Sequence, residues 1–411
     1  MNIIIIGGGA AGLMAAKQLS LSHQITVLEA KEELGGRIRT AGNLEAGAEF
    51  IHGRLPVTLA LLREAELTYT PAGGKMFRVE KNKWQQDEEM IAGWDELLEH
   101  MQQLPEDMTL QEYLDANIPE AGSASLRNNI IRYAQGFDLA DVSRVSVKFL
   151  SREWASEEGH NYRVDQGYQS LVNFLAEECR KHQCVIHTKS KVKTVSWKKG
   201  NVVVTTTDGQ IHHAEKLIVA ISLGLLQQSS IHFTPHIDQY LHAANAIGWG
   251  NVIKIILTFS NPFWEDHQQD TGFIFSSETI PTWWTQAPDR SPVLTGWLGG
   301  PPSARYQKKD LPELALNCLA EIFQQEISVL KEMLIASYCQ DWSEDADVGG
   351  AYSYDTPFSA QARAVLNEAL EETIYFAGEA LYSGNHPGTV EAALISGRDV
   401  AGKIDPPSGT L

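Results

Sequence analysis

The first thirty residues constrain this chain more than any other stretch, running NIIIIGGGAAGLMAAKQLSLSHQITVLEA from Asn2 to Ala30. Ile3 to Ile6 is a β-branched run without polar alternation, the pattern of a strand buried on both faces of a parallel sheet. Gly7, Gly9 and Gly12 follow at GxGxxG spacing and open a helical segment, Ala10 to Leu19. In that helix Leu13, Ala16, Lys17 and Leu19 are expected to pack on the sheet. A second strand, Ile25 to Leu28, ends on Glu29. In this order each glycine has its own role. Gly7 makes the tight turn, Gly9 lets a pyrophosphate approach the backbone, and Gly12 allows close helix packing. Gly7, Gly9, Ala11 and Gly12 are therefore candidate cofactor-binding residues. Glu29 falls where a carboxylate accepts hydrogen bonds from ribose hydroxyls. The ligand predicted is a dinucleotide, without a choice among dinucleotides.

With 411 residues the chain is too long for one ordinary core, so two or three domains are expected. Its 43% hydrophobic and 21% charged residues are those of a soluble globular protein. The longest apolar run, Leu217 to Leu226, is too short to span a bilayer, and the first strand leaves no room for a leader, so a cytoplasmic protein is expected. The net charge of −19 counts against nucleic acid and suits cationic small molecules. Cys179, Cys184, Cys318 and Cys339 have neither metal-ligand nor disulfide-framework spacing and read as reduced core thiols. No metal is expected.

After Glu29 the chain reads AKEELGGRIRT, in which Gly36 lets the backbone approach a diphosphate and Arg37 can pair with its oxygens. Then follows LEAGAEFIHG, with Gly47, Ala48, Glu49 and His52. In these two elements the sequence resembles the flavin-dependent amine oxidase family, where a GGR element and a GA(x)(F/W)IHG element follow the dinucleotide fingerprint. The resemblance makes the expected cofactor FAD and the expected fold α/β: a Rossmann-type FAD-binding domain with a second domain of mixed sheet and helices for substrate. It implies an FAD-binding domain of residues 1–70, 160–236 and 341–411, with 71–159 and 237–340 forming the substrate domain.

Further landmarks follow in order. A hairpin, KMFRVEKNKWQ, spans Lys75 to Gln85. A largely helical stretch to about residue 155 includes Trp94, Leu97, Leu98, Met101 and Leu104 at helical spacing, and Thr109 with Glu112 forms a capping-box pattern. A helix from about Gln166 to Glu178 precedes strands at 184–187, 191–196, 202–207 and 217–220. In the family a valine at the position of Val192 meets the adenine. Ser222 stands where the family often has proline.

In the strand around Val252 to Phe259, Lys254 shares a face with Val252 and Ile256 while the other face is also apolar. A lysine there is costly to bury without a polar partner. It resembles the family's lysine that holds a water against flavin N5. Trp342 and GGAYSY resemble the segment that sets an aromatic residue, here Tyr352, beside the flavin. Monoamine oxidases carry a flavin-linking cysteine where this chain has Ala351, which implies non-covalent FAD. Gly378 and Glu379 match the FAGE element, and Thr389 with Val390 opens a helix to about Ile404 whose N-terminus can face the flavin. Thr389 occupies the place of the monoamine oxidases' second cage aromatic, so a second wall would come from elsewhere, such as Trp283 or Trp284.

The resemblance implies hydride transfer from a small primary or secondary amine, or a polyamine, to the flavin. An imine forms, molecular oxygen reoxidises the cofactor and hydrogen peroxide is released. Lys254, Tyr352 and His52 are the implied catalytic residues. No nucleic-acid or membrane partner is expected, and the chain would act as a monomer or homodimer. The alternatives are a desaturase or porphyrinogen-type oxidase on the same fold, and a non-catalytic FAD-binding redox sensor.

Overall fold

The computed structural model describes residues 1–81, 83–86, 93–156, 159–182 and 184–406. Asn82, in the expected hairpin turn, and residues 407–411 of the expected FAD-binding domain lie outside the described residues. Among the described residues no helix is long and apolar enough to cross a membrane.

The opening run forms strand β1 (Asn2–Ile6), helix α1 (Ala10–Leu19) and strand β2 (Gln24–Leu28). β1 is the middle strand of a five-stranded sheet, ordered Val185–His187, β2, β1, Lys216–Val219 and Ile374–Phe376, and every pairing in it is parallel. The reason lies in the four isoleucines. Ile3 and Ile5 enter one apolar cluster with α1 and the helix Val390–Ile404, while Ile4 and Ile6 enter another on the opposite face. Fully burying such a side chain contributes about 1.5–3 kcal/mol, so a strand of this composition stays in the sheet centre. The sheet order reverses at β1, and ligands of open α/β sheets sit at the strand ends beside such a switch point. Lys17 departs from expectation: it leaves the sheet, pairs with Glu64 at 2.8 Å and lies over the Phe174 ring, because an ammonium is better solvated there than against isoleucine.

Strands Val192–Lys198, Asn201–Thr206, Ile211–Ala214 and His232–Thr234 build a four-stranded sheet covering the second face. A seven-stranded sheet takes its strands from Lys75–Gln86 and from 252–341. Strand Val252–Phe259, an inner strand between Leu334–Asp341 and Val293–Gly299, is buried on both faces: Ile253, Ile255, Leu257 and Phe259 pack into the cluster beneath, and Val252 and Lys254 face the other way. Helices Trp94–Gln102, Leu110–Asn117, Glu120–Gly136 and Val147–Ala155 form the helical arm, and Thr109 with Glu112 makes both bonds of the capping box. The four cysteines are free and buried.

Candidate functional site

One cavity of about 740 Å³ runs from the C-terminal end of β1 to the face of the seven-stranded sheet. All of the candidate site residues line it except Gly12, which lies beneath Gly7: a Cβ at Gly12 would stand 2.0 Å from the Gly7 carbonyl oxygen.

At the first end, Gly7 has φ +109, and a Cβ there would lie 2.5 Å from the Ala220 oxygen, so the turn requires glycine. Gly9 caps α1 without a side-chain hydrogen bond, and the first turn carries no acidic residue. The N–H groups of that turn therefore open onto the cavity at Gly9, Ala10 and Ala11, a ready anion site. Space above them is free, because a Cβ on Gly9 would meet nothing nearer than 3.8 Å. Glu29 is buried at the tip of β2 and accepts from the Gly8 N–H at 2.6 Å and the Lys31 N–H at 2.9 Å. Burial pushes its carboxyl above the ordinary range, against these two bonds and the Lys31 charge. Val192 and Trp342 line the same end, with Lys31 over the Trp342 ring.

In the middle, Arg37 donates from Nη1 to Glu379 Oε1 at 2.8 Å and to the Ala351 carbonyl at 2.7 Å, and its guanidinium covers the Trp249 ring. Glu379 accepts in addition from Ser353 Oγ at 2.6 Å. Gly378 has φ +158 and lines the cavity between them. Gly388, Thr389 and Val390 bring in the N-terminus of helix Val390–Ile404. Thr389 caps it by accepting from the Ala392 N–H and donates its own proton to the His386 carbonyl at 2.7 Å, so its hydroxyl is engaged on both sides. Close packing of this helix on α1 depends on Gly397, where a Cβ would stand 2.2 Å from the Ala11 oxygen.

At the far end Tyr352 and His52 meet the seven-stranded sheet. The Tyr352 hydroxyl donates to the Phe137 carbonyl in the helical arm, which fixes the ring. Burial holds its pKa well above the ordinary value, helped by the charges of Asp138, Glu379 and Glu153. His52 Nδ1 is 2.8 Å from Asn161 Oδ1, and burial pushes the imidazole below its ordinary value despite that bond. The two tryptophans named for a second wall part company. Trp284 lines the cavity at 5.7 Å from the Phe50 ring, whereas Trp283 is buried in the core beneath the sheet.

Lys254, 1% exposed, lines this end as well. Its ammonium donates to Glu49 Oε2 at 2.6 Å and to the Gly47 carbonyl at 3.2 Å, so within the described residues its polar partners are a carboxylate and a backbone oxygen. Glu49, expected at the cofactor, has both oxygens engaged by the protein, since Oε1 accepts from Arg163 and Trp284. Arg163 and Asn161 are not among the sequence candidates. An arginine inside the short strand Asn161–Val164 is the one local signal for the former; nothing local marks the latter.

The cavity fits a dinucleotide: an uncapped helix start for phosphate, a buried carboxylate at the ribose position of the fold, and a long apolar continuation toward Tyr352. Among the described residues no group of three or more His, Cys, Asp or Glu could hold a metal ion.

Comparison with known proteins agrees. The family model described as flavin containing amine oxidoreductase matches residues 10–405. Lysine-specific histone demethylase 2 of Homo sapiens is 27% identical over 98% of this chain and 53% of its own length, so the chain spans about half of that relative. Polyamine oxidase 2 of Arabidopsis thaliana is 25% identical over 96% of this chain and 86% of its own. Among solved structures, a wild-type putrescine oxidase bound to putrescine superposes with a TM-score of 0.82 at 19% identity, covering 98% of this chain and 99% of that one. Cyclohexylamine oxidase from Brevibacterium oxydans gives 0.80 at 19% identity, with 98% of this chain covered and 99% of that one.

Proposed function

The chain belongs to the flavin-containing amine oxidoreductase family, and from that premise we propose that it oxidises a small primary or secondary amine, or a polyamine, with molecular oxygen as final acceptor. Its cofactor is FAD. Bound non-covalently, the flavin supplies the two-electron acceptor that the side chains lack. The amine becomes an imine that water hydrolyses to a carbonyl compound, and oxygen becomes hydrogen peroxide.

The observation that carries this reading is that Tyr352, His52 and the buried Lys254 open on the same cavity as the fingerprint glycines. Tyr352, fixed through its hydroxyl and kept un-ionised, offers a ring face and an edge against which an amine can be oriented. Trp284 and Phe50 supply apolar walls that exclude water, in place of the aromatic missing at Thr389. His52, held neutral by burial and fixed by Asn161, adds a polar contact without a charge that would repel a cationic substrate.

Residues 1–70, 160–236 and 341–411 form the FAD-binding domain in this reading, and 71–159 with 237–340 the substrate domain. It is supported by the strand sets: the parallel sheet draws only on the first group, and the seven-stranded sheet draws on the second, its last strand running one residue past the boundary to Asp341. The four free buried thiols suit a reducing compartment such as the cytoplasm.

A panel of mono-, di- and polyamines, assayed for aldehyde and hydrogen peroxide together, tests the proposal. Equal yields of the two from an amine are expected. Aldehyde formed only with an artificial electron acceptor would make the protein a dehydrogenase instead.

A further inference from the structure

Three donors from three elements converge on the Glu49 carboxylate. Oε2 accepts from Lys254 Nζ at 2.6 Å, while Oε1 accepts from Arg163 Nε at 2.9 Å and Trp284 Nε1 at 3.0 Å. The lysine and glutamate side chains are 1% and 4% exposed. The remaining guanidinium nitrogens of Arg163 donate to the Thr285 and Ala287 carbonyls at 2.9 and 3.1 Å, so the arginine itself cannot swing away. Burial would push the Glu49 carboxyl up, but the charges and hydrogen bonds of Lys254 and Arg163 outweigh it and keep the group ionised.

The ammonium is held by both ends of a three-residue segment, because Gly47 contributes its carbonyl at 3.2 Å and Glu49 its carboxylate. That segment is pinned in turn. A Cβ at Gly47 would lie 1.9 Å from the Arg37 oxygen, so Gly47 sits flush against the loop that carries Arg37. An ammonium has three N–H groups, and two are taken here. Lys254 lines the cavity with its ammonium 5.3 Å from the Trp284 ring centroid, which leaves one N–H for an occupant.

We propose that Glu49 is a positioning residue for the reaction: with Arg163 behind it, it locks the Lys254 ammonium in one orientation at the cavity wall. Removing one partner of a buried charge pair leaves the other without its anchor, so the effect of Glu49 passes through Lys254. This rests on the reading that Lys254 serves the reacting end of the flavin.

The test is a double-mutant cycle of Glu49→Gln and Lys254→Met, read by the rate of flavin reduction under saturating amine and by the reduction potential of the bound flavin. Each single variant is expected to slow reduction tenfold or more, and the double variant to be no slower than Lys254→Met alone. Glu49→Gln should shift the flavin potential in the parent and leave it unmoved in the Lys254→Met background. Losses that multiply, or a potential that shifts equally in both backgrounds, would overturn the proposal and make Glu49 a structural residue or a direct cofactor contact. An unchanged Lys254→Met single variant would instead overturn the reading on which the proposal rests. If Glu49→Gln does not take up FAD, Arg163→Lys, which loosens the same carboxylate without touching Lys254, is carried through the same cycle under the same criteria.

Discussion

Arg37 and Glu379, 342 positions apart in sequence, meet at 2.8 Å with the glutamate 3% exposed. Through Ala351 and Ser353 the same two side chains hold the segment that carries Tyr352. The loop after β2, the Tyr352 segment and the turn after strand Ile374–Phe376 are thus one hydrogen-bonded unit. Glu379→Gln keeps the shape and removes the charge, and a loss of about 1–3 kcal/mol is expected for a charge-assisted buried bond. The midpoint of thermal unfolding should fall in protein with and without FAD. A midpoint unmoved in both would show that the pair adds nothing.

Glu29→Ala should weaken FAD binding roughly ten- to a hundredfold, from the about 1.5–3 kcal/mol of charged hydrogen bonds at the ribose. Because the carboxylate also accepts from the Gly8 and Lys31 N–H groups, Glu29→Gln should recover part of the loss. Flavin fluorescence titration of the apoprotein measures both; retention of FAD at parent affinity by the alanine variant would remove Glu29 from the cofactor site.

Ala351 stands where a linking cysteine would have to be. Acid or heat precipitation should release all of the flavin into the supernatant as FAD. Yellow colour left in the washed pellet would contradict a non-covalent cofactor.

Much of the fold is readable locally because its causes are local. Four isoleucines and three glycines suffice for β1, the turn and α1, and Thr109 with Glu112 writes its own cap. The burial of Lys254 is visible in the strand alternation, but its partner is not: Glu49 is 205 positions away and meets it only through the tertiary fold. For the same reason the bond from Tyr352 to the Phe137 carbonyl, 215 positions apart, leaves no sequence signal. Ile211–Ala214 and His232–Thr234 escape detection as strands because exposed histidines break their apolar pattern. Lys17 goes against the sequence expectation because helical periodicity gives a face, and the ion pair with Glu64 decides where a long side chain on its border goes.

His52 gives a pH signature of folding. Its folded pKa is depressed below the unfolded 6.5 by burial, so above pH 6.5 it is neutral in both states and costs nothing. As pH falls through 6.5 the unfolded chain takes up a proton that the folded site refuses, and stability drops until the folded pKa is reached. The buried carboxyls of Glu29 and Glu45, with pKa values raised by burial, act in the opposite sense, adding stability as pH falls from their folded pKa toward the unfolded 4.5. A His52→Gln variant should therefore lose less stability than the parent between pH 7 and 5.5 in parallel denaturant titrations. Identical slopes would place His52 in a solvated setting.

The claim that this cavity brings an amine to a flavin is tested most directly by anaerobic mixing of the FAD-loaded protein with mono-, di- and polyamines while the oxidised flavin band is followed. At least one amine should bleach the band, faster as pH rises toward the amine's own pKa because the neutral form reacts, and admitted oxygen should restore it. A flavin that dithionite bleaches and none of the amines does would contradict the account and leave a protein that holds FAD without turning over an amine.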